Sequence, residues 1–269
     1  KFQDWEVYFF DGYHKKGGFG GSTAQCLALY HFVNLVENDF EEFSEIDLDN
    51  LLIQYWLCQE DAEKKISRAL GDPKQMYLLP SGNDLIAQQS SGFSVVSKTL
   101  QTSSYISDVE ESLSLQLEVQ YRPMKWGFEH LEFFIVPTGN KLATHKHLEG
   151  LEKFDHAKLK DIQERIESFF FIQDEVAFVV GLKEWYQELL SLGFVCVETQ
   201  AMISKAQSVA EILGIKGCGA MGSDVLFIAF HRIDKEKVAH WLKEQNLNTY
   251  YSVDKVWKKP VKIEGLSWD

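Results

Sequence analysis

Residues 17–23 read Gly17-Gly18-Phe19-Gly20-Gly21-Ser22-Thr23, a glycine-rich turn between a predicted strand at residues 5–10 and a predicted helix at residues 23–36. Glycines let the backbone approach an anion closely, and the first amides of the following helix point at that anion with a favourable dipole. The hydroxyls of Ser22 and Thr23 can bond a phosphate or bind Mg²⁺. The segment predicts a phosphate-binding loop, although an ordinary glycine turn explains it equally well when it is taken alone.

A second segment, Pro80-Ser81-Gly82-Asn83-Asp84, is a turn sequence that precedes a short predicted helix at residues 85–89. An aspartate on a tight turn can act as a base or can anchor the hydroxyl or phosphate of a nucleophile. Aspartate is also among the best helix N-caps. On this segment alone, capping is the favoured interpretation of Asp84.

A third segment, residues 216–224, has three glycines and an alanine between a predicted helix at 204–213 and a predicted strand at 225–230. So many small residues indicate a backbone that lies close to something else. A bound ligand and another loop of the protein are equally good candidates for the group that lies close to this backbone.

The rest of the chain alternates helical and strand-like patterns, with a domain boundary expected near residues 122–130. The further predicted helices are at residues 51–70, 141–152, 156–170, 174–192 and 234–245, and the further predicted strands are at 92–97, 115–121, 131–136 and 248–253.

Composition excludes several classes of function. The chain of 269 residues has 40 acidic and 27 basic side chains, a net charge of −13, so that nucleic acid is a poor candidate partner. No apolar stretch is long enough for a membrane span, and no signal-peptide pattern opens the sequence. The four cysteines are widely spaced and have no CxxC pattern, which predicts reduced thiols and a cytoplasmic location. They are Cys26, Cys58, Cys196 and Cys218.

Together the three segments resemble the motifs of the GHMP family of small-molecule kinases. Residues 18–24 resemble the family's phosphate loop, usually Gly-Leu-Gly-Ser-Ser-Ala-Ala, and residues 80–84 resemble the Pro-Ser-Gly-x-Asp segment of mevalonate kinases, whose aspartate is catalytic. Residues 217–224 are similar to the C-terminal glycine motif. The order and approximate spacing of the segments also agree, and the nearest branch is that of mevalonate and phosphomevalonate kinases.

The resemblance implies an α+β fold of two lobes, with a ribosomal-protein-S5-like N-terminal domain at residues 1–122 and a ferredoxin-like C-terminal domain at 123–269. It implies an enzyme that uses ATP and Mg²⁺ to phosphorylate a small anionic metabolite of the isoprenoid pathway. Phosphomevalonate is slightly preferred over mevalonate, because Asp224 and the Thr138-Gly139 pair are more typical of phosphomevalonate kinases. The resemblance implies no membrane partner, and it allows a homodimer.

The resemblance also assigns roles to individual residues. Asp84 would be catalytic, and Ser22 would also bind the metal. The residues assigned to ATP are Gly18, Gly20, Gly21, Ser22, Thr23, Gly219, Ala220 and Gly222, and those assigned to the substrate are Ser81, Gly82, Lys141 and Thr144.

The sequence departs from the family pattern at several points. Nothing before Lys16 matches the family's Pro-x-x-x-Gly-Glu-His-type motif, so that either the chain is a fragment or the protein lacks part of the site. Gly21 replaces the first loop serine and Met221 replaces a glycine, and no glutamate upstream of Asp84 matches the one that helps to hold Mg²⁺. These departures favour an alternative function, that of a non-catalytic nucleotide-binding or interaction protein on a decayed kinase scaffold.

Overall fold

The computed structural model of the chain describes residues 21–37, 47–70, 82–88, 93–101, 116–139, 156–218 and 225–253. Helices and strands both make up large parts of these ranges, which confirms the predicted α+β class. The described residues divide into two compact units, one ending at Lys125 and the other beginning at Trp126. The predicted domains at 1–122 and 123–269 extend over undescribed ranges and stay a prediction.

The first unit contains three helices and a two-stranded antiparallel sheet in its described residues. Its elements are α1 (Gly21–Glu37), α2 (Leu48–Leu70), α3 (Asn83–Ala87), β1 (Phe93–Gln101) and β2 (Gln116–Met124). All five were predicted from the sequence, with shifts at their ends. Helix α2 starts earlier than predicted because the Asp47 carboxylate accepts a hydrogen bond from the Asn50 backbone N–H at 2.9 Å. The strand predicted at residues 5–10 lies outside the described residues.

The core of the first unit lies between α2 and α3. It contains the buried side chains of Leu51, Leu52, Tyr55, Leu85 and Ile86. Helix α1 and the sheet pack their partly buried apolar residues against this cluster.

The sheet of the first unit is also tied to α2 by a polar contact. Strands β1 and β2 pair from Phe93 opposite Met124 to Gln101 opposite Gln116. The Val119 backbone N–H donates to the Asp49 carboxylate of α2 at 2.8 Å. A strand amide that would otherwise need another partner is therefore satisfied by a side chain.

The second unit packs helices against a four-stranded sheet. Its elements are β3 (Leu131–Pro137), α4 (His156–Ile172), α5 (Glu175–Ser191), α6 (Val197–Ala206), β4 (Ile212–Cys218), β5 (Val225–His231), a 3₁₀ turn (Arg232–Asp234), α7 (Lys235–Glu244) and β6 (Tyr251–Ser252). The predictions of β3, α4, α5, β5, α7 and a closing strand are confirmed, and the helix predicted at residues 141–152 lies outside the described residues. No helix in the described ranges has the length and apolar character needed to cross a membrane.

The sheet of the second unit has the order β4-β5-β3-β6, with every neighbouring pair antiparallel. Strand β5 is central and is buried from Val225 to Phe230. The chain passes from β3 through α4, α5 and α6 to β4, turns back into β5, and passes through α7 to β6. Helices α5 and α6 contact β4, and α7 contacts β5.

The helix predicted at residues 204–213 is wrong. Helix α6 ends at Ala206, and the chain from Ile212 onward forms β4. Ile212 pairs with Phe230 and Ile215 with Ile228, and the two isoleucine side chains belong to the core of the second unit as strand residues. The first residues of the glycine-rich segment, Gly217 and Cys218, consequently lie in β4.

Candidate functional site

Two of the three segments singled out from the sequence meet in the first unit. Thr23 lies in the first turn of α1 and Asp84 lies in α3, 61 residues later. The Thr23 hydroxyl donates a hydrogen bond to Oδ2 of Asp84 at 3.3 Å. The end of the glycine-rich loop and the candidate aspartate therefore occupy one place in the structure.

Gln88 is the third member of this cluster. Its side-chain amide donates to Oγ1 of Thr23 at 3.1 Å. Gln88 follows Asp84 by four residues, a spacing that places two side chains on the same side of a helix. The sequence analysis did not single out Gln88, and this spacing was the one signal that pointed to it.

Helix α3 is fixed closely against α2 at the position of Gly82. Gly82 precedes α3 with a φ of +68°, in the left-handed region that favours glycine. A Cβ atom at this position would lie 2.2 Å from Cδ1 of Leu52, so there is no room for a side chain. Leu85 and Ile86 are fully buried directly after Asp84. The aspartate is thus held between a tight turn and two core side chains.

The two partners of the Thr23–Asp84 bond differ in their exposure. Thr23 is 1% exposed, whereas Asp84 is exposed on the surface. Tyr55 belongs to the core of the same unit. The pKa of its phenol is raised to about 12, most of all by burial and then by electrostatic interaction with Asp84 and Cys26. The cluster therefore presents a carboxylate to solvent and anchors it to a hydroxyl that solvent does not reach.

Capping does not account for Asp84. Helix α3 begins at Asn83, its N-cap residue is Gly82, and no side chain makes a capping hydrogen bond there. The carboxylate of Asp84 reaches across to α1 instead. The interpretation that was favoured for this segment alone is therefore wrong.

The remaining candidate residues are described in part or not at all. Gly21 and Ser22 begin α1, where the first backbone N–H groups of a helix have no intrahelical acceptor and commonly bind anions. Their assignments to ATP and Mg²⁺, like those of Thr23 and Gly82, stay predictions. Eight candidates lie outside the described residues: Gly18, Gly20, Ser81, Lys141, Thr144, Gly219, Ala220 and Gly222.

The cluster has the chemistry of a polar binding site. An exposed carboxylate can accept a proton or a hydrogen bond from a substrate hydroxyl, and it can help to hold a divalent cation. Within the described ranges, no group of three or more His, Cys, Asp or Glu side chains is arranged to hold a metal ion by itself.

Comparisons with known proteins give little further guidance. No family model matches the sequence. No curated protein matches it either. Among solved structures, the crystal structure of L. major mevalonate kinase in complex with R-mevalonate is similar at a TM-score of 0.40 and 14% identity. The match covers 51% of this chain and 48% of that kinase, and similarity at this level establishes neither a shared fold nor a shared activity.

Proposed function

We propose that this chain is a GHMP-type kinase that uses ATP and Mg²⁺ to phosphorylate a small metabolite of the isoprenoid pathway, with phosphomevalonate slightly preferred over mevalonate. The observation that carries the proposal is the hydrogen bond between Thr23 and Asp84. The motif resemblance requires the end of the glycine loop and the aspartate to lie together. The two segments are 61 residues apart in the sequence, so tertiary structure rather than local chain geometry brings them together.

The connectivity of the second unit supports the same proposal. Its order of elements is strand, helices, strand, strand, helix, strand, with the sheet order β4-β5-β3-β6. Among the described elements, this order agrees with the β-α-β-β-α-β arrangement expected of a ferredoxin-like domain. The resemblance implies that type for the C-terminal domain.

The residues of the first unit fit the two ligands that the proposal needs. The amides at the start of α1, Gly21 to Thr23, would hold ATP phosphates together with the preceding glycines, and Ser22 would bind Mg²⁺. Bound Mg-ATP supplies the transferable phosphoryl group and neutralises part of its charge.

Asp84 would orient the acceptor oxygen and, for an alcohol, take its proton. A phosphomonoester acceptor is already largely ionised near neutral pH, so that positioning and charge balance would dominate with phosphomevalonate.

Substitution of Asp84 provides the direct test. In an assay of ADP release with Mg-ATP and phosphomevalonate or mevalonate, Asp84→Asn should lower turnover by about 10² to 10⁴-fold, because the base or orienting carboxylate is lost. The melting temperature and circular dichroism spectrum should stay close to those of the wild type. Glu198→Gln removes an exposed carboxylate in the second unit and serves as the matched control, with unchanged turnover.

The same preparation separates the alternative function. Thermal stabilisation by Mg-ATP without ADP release would favour a non-catalytic nucleotide-binding protein, the function that Gly21 in place of the loop serine favours. A normal rate in Asp84→Asn would remove Asp84 from the mechanism. If Mg-ATP causes neither thermal stabilisation nor ADP release, both the kinase and the nucleotide-binding function are contradicted.

A further inference from the structure

We propose that Thr23 and Gln88 are positioning residues that hold the Asp84 carboxylate in one orientation for catalysis. The inference rests on the proposed kinase function and adds to it a relay of two hydrogen bonds from Gln88 through Thr23 to Asp84. No motif of the sequence assigned this role to either residue.

The Asp84 carboxylate has limited freedom. An exposed aspartate side chain can turn about both of its side-chain torsions, and ordering it costs conformational entropy. Here Oδ2 of Asp84 accepts a hydrogen bond from the Thr23 hydroxyl. This leaves Oδ1 for the substrate that receives the phosphoryl group. Among the residues that the structure describes, Thr23 is the side chain that donates to Asp84, and no cation pairs with this carboxylate.

The Thr23 hydroxyl is a well-fixed hydrogen-bond donor. Thr23 is 1% exposed, so water cannot readily replace its hydroxyl. Threonine is branched at Cβ and has few side-chain conformations in a helix, which makes it a stiffer support than a long side chain. A donor fixed in the core therefore holds a carboxylate that lies at the surface.

The Thr23 hydroxyl is both an acceptor and a donor in this cluster. A threonine hydroxyl has a single hydrogen and two acceptor lone pairs. The Gln88 amide donates to Oγ1 of Thr23, so the hydroxyl is the acceptor in that contact. Its own hydrogen is donated to Oδ2 of Asp84, so the two hydrogen bonds run in one direction, from Gln88 through Thr23 to Asp84.

Substitutions at Thr23 test the relay. Thr23→Val keeps the shape of the side chain and removes the hydroxyl, and it should lower kcat by about tenfold to a hundredfold with KM for both substrates changed less than about threefold. Thr23→Ser keeps the hydroxyl and should restore kcat to within about threefold of the wild type. Gln88→Leu should lower kcat in the same direction as Thr23→Val, by a smaller factor.

A double-substitution cycle separates positioning from general structural support. In an Asp84→Ala background, Thr23→Val should cause no further loss of kcat, because the group that it positions is gone. The shift that Thr23→Val causes in the urea midpoint should also be smaller in that background, and this second readout does not depend on activity. If Thr23→Val lowers kcat by the same factor in the wild type and in the Asp84→Ala background, the positioning role is overturned.

The possible failures are distinguishable. If the wild type turns over and Thr23→Val has a normal kcat, the positioning role is wrong and the proposed function stands. If Thr23→Ser is as slow as Thr23→Val, the hydroxyl is not the important group and the inference fails. If the wild type shows no phosphoryl transfer, the proposed function fails and the catalytic role of Thr23 falls with it, whatever the urea cycle shows.

Discussion

Tyr55 offers a test of the site at the scale of single residues. Its pKa is raised from 10.0 to about 12, first by burial and then by the negative charge of Asp84. Between about pH 10 and pH 12 the unfolded chain loses this proton while the folded chain keeps it, so the free energy of unfolding should fall as the pH rises. Below about pH 10 the phenol is protonated in both states and contributes no pH dependence.

Tyr55→Phe should remove this part of the alkaline loss of stability. Urea unfolding of both proteins at pH 9 and pH 11 measures it, with the difference between the two pH values compared rather than the absolute stabilities. The wild type should lose more stability than the variant over this interval. Equal losses would show that the Tyr55 phenol titrates near its ordinary value and is not in the surroundings described.

Part of the candidate site could be predicted from residue types alone. Thr23 and Asp84 each stand in a segment with turn and hydroxyl chemistry, and the motif resemblance required those segments to meet. Gln88 and Tyr55 could not be assigned in the same way, because a glutamine on a helix and a tyrosine in an apolar stripe have many alternative roles. Tertiary packing decides their contacts.

At the scale of elements, α3 is stable only through its packing. A helix of five residues is too short to form alone in water, and α3 depends on the buried Leu85 and Ile86 and on the turn at Gly82. Gly82→Ala should lower the free energy of unfolding by about 2–4 kcal/mol, because the new methyl group meets Leu52 and alanine disfavours a positive φ.

Gly139→Ala is the matched control for that experiment. Gly139 also has a positive φ, +78°, but a Cβ atom there would have no heavy atom within 4 Å. Gly139→Ala should therefore lower the free energy of unfolding only by the cost of a positive φ at alanine, about 1 kcal/mol. Urea unfolding gives both values, and equal losses would show that the contact between Gly82 and Leu52 is not tight.

One element prediction failed in the described residues, at a short apolar run. Helices α1 and α2 and strand β3 follow from clear periodicity in the sequence. Residues 212–215 contain a short apolar run, which fits a buried strand and a helix equally well. In the structure these residues pair with β5 and form a strand. The order of strands in the sheet was not predictable from local pattern, because β3 pairs with a strand far along the chain.

At the scale of the whole molecule, the net charge of −13 makes a further prediction. Acidic proteins repel polyanions, and nucleic-acid binding depends on the neutralisation of phosphates by basic side chains. In a gel-shift assay at about 0.15 M salt, the chain should leave duplex DNA unshifted. A basic DNA-binding protein serves as the positive control, and a shift by this chain would show a local basic surface that the overall charge conceals.

The contact between Asp49 and Val119 has a consequence for the behaviour of the protein in concentrated solution. In the described part of the first unit, β2 pairs with β1 along one side, and the Val119 amide on the other side is taken up by the Asp49 carboxylate. An incoming β-strand from another molecule would meet one hydrogen-bond donor fewer and a negative charge at this position. We therefore expect the Asp49 side chain to disfavour edge-to-edge pairing at this position of β2.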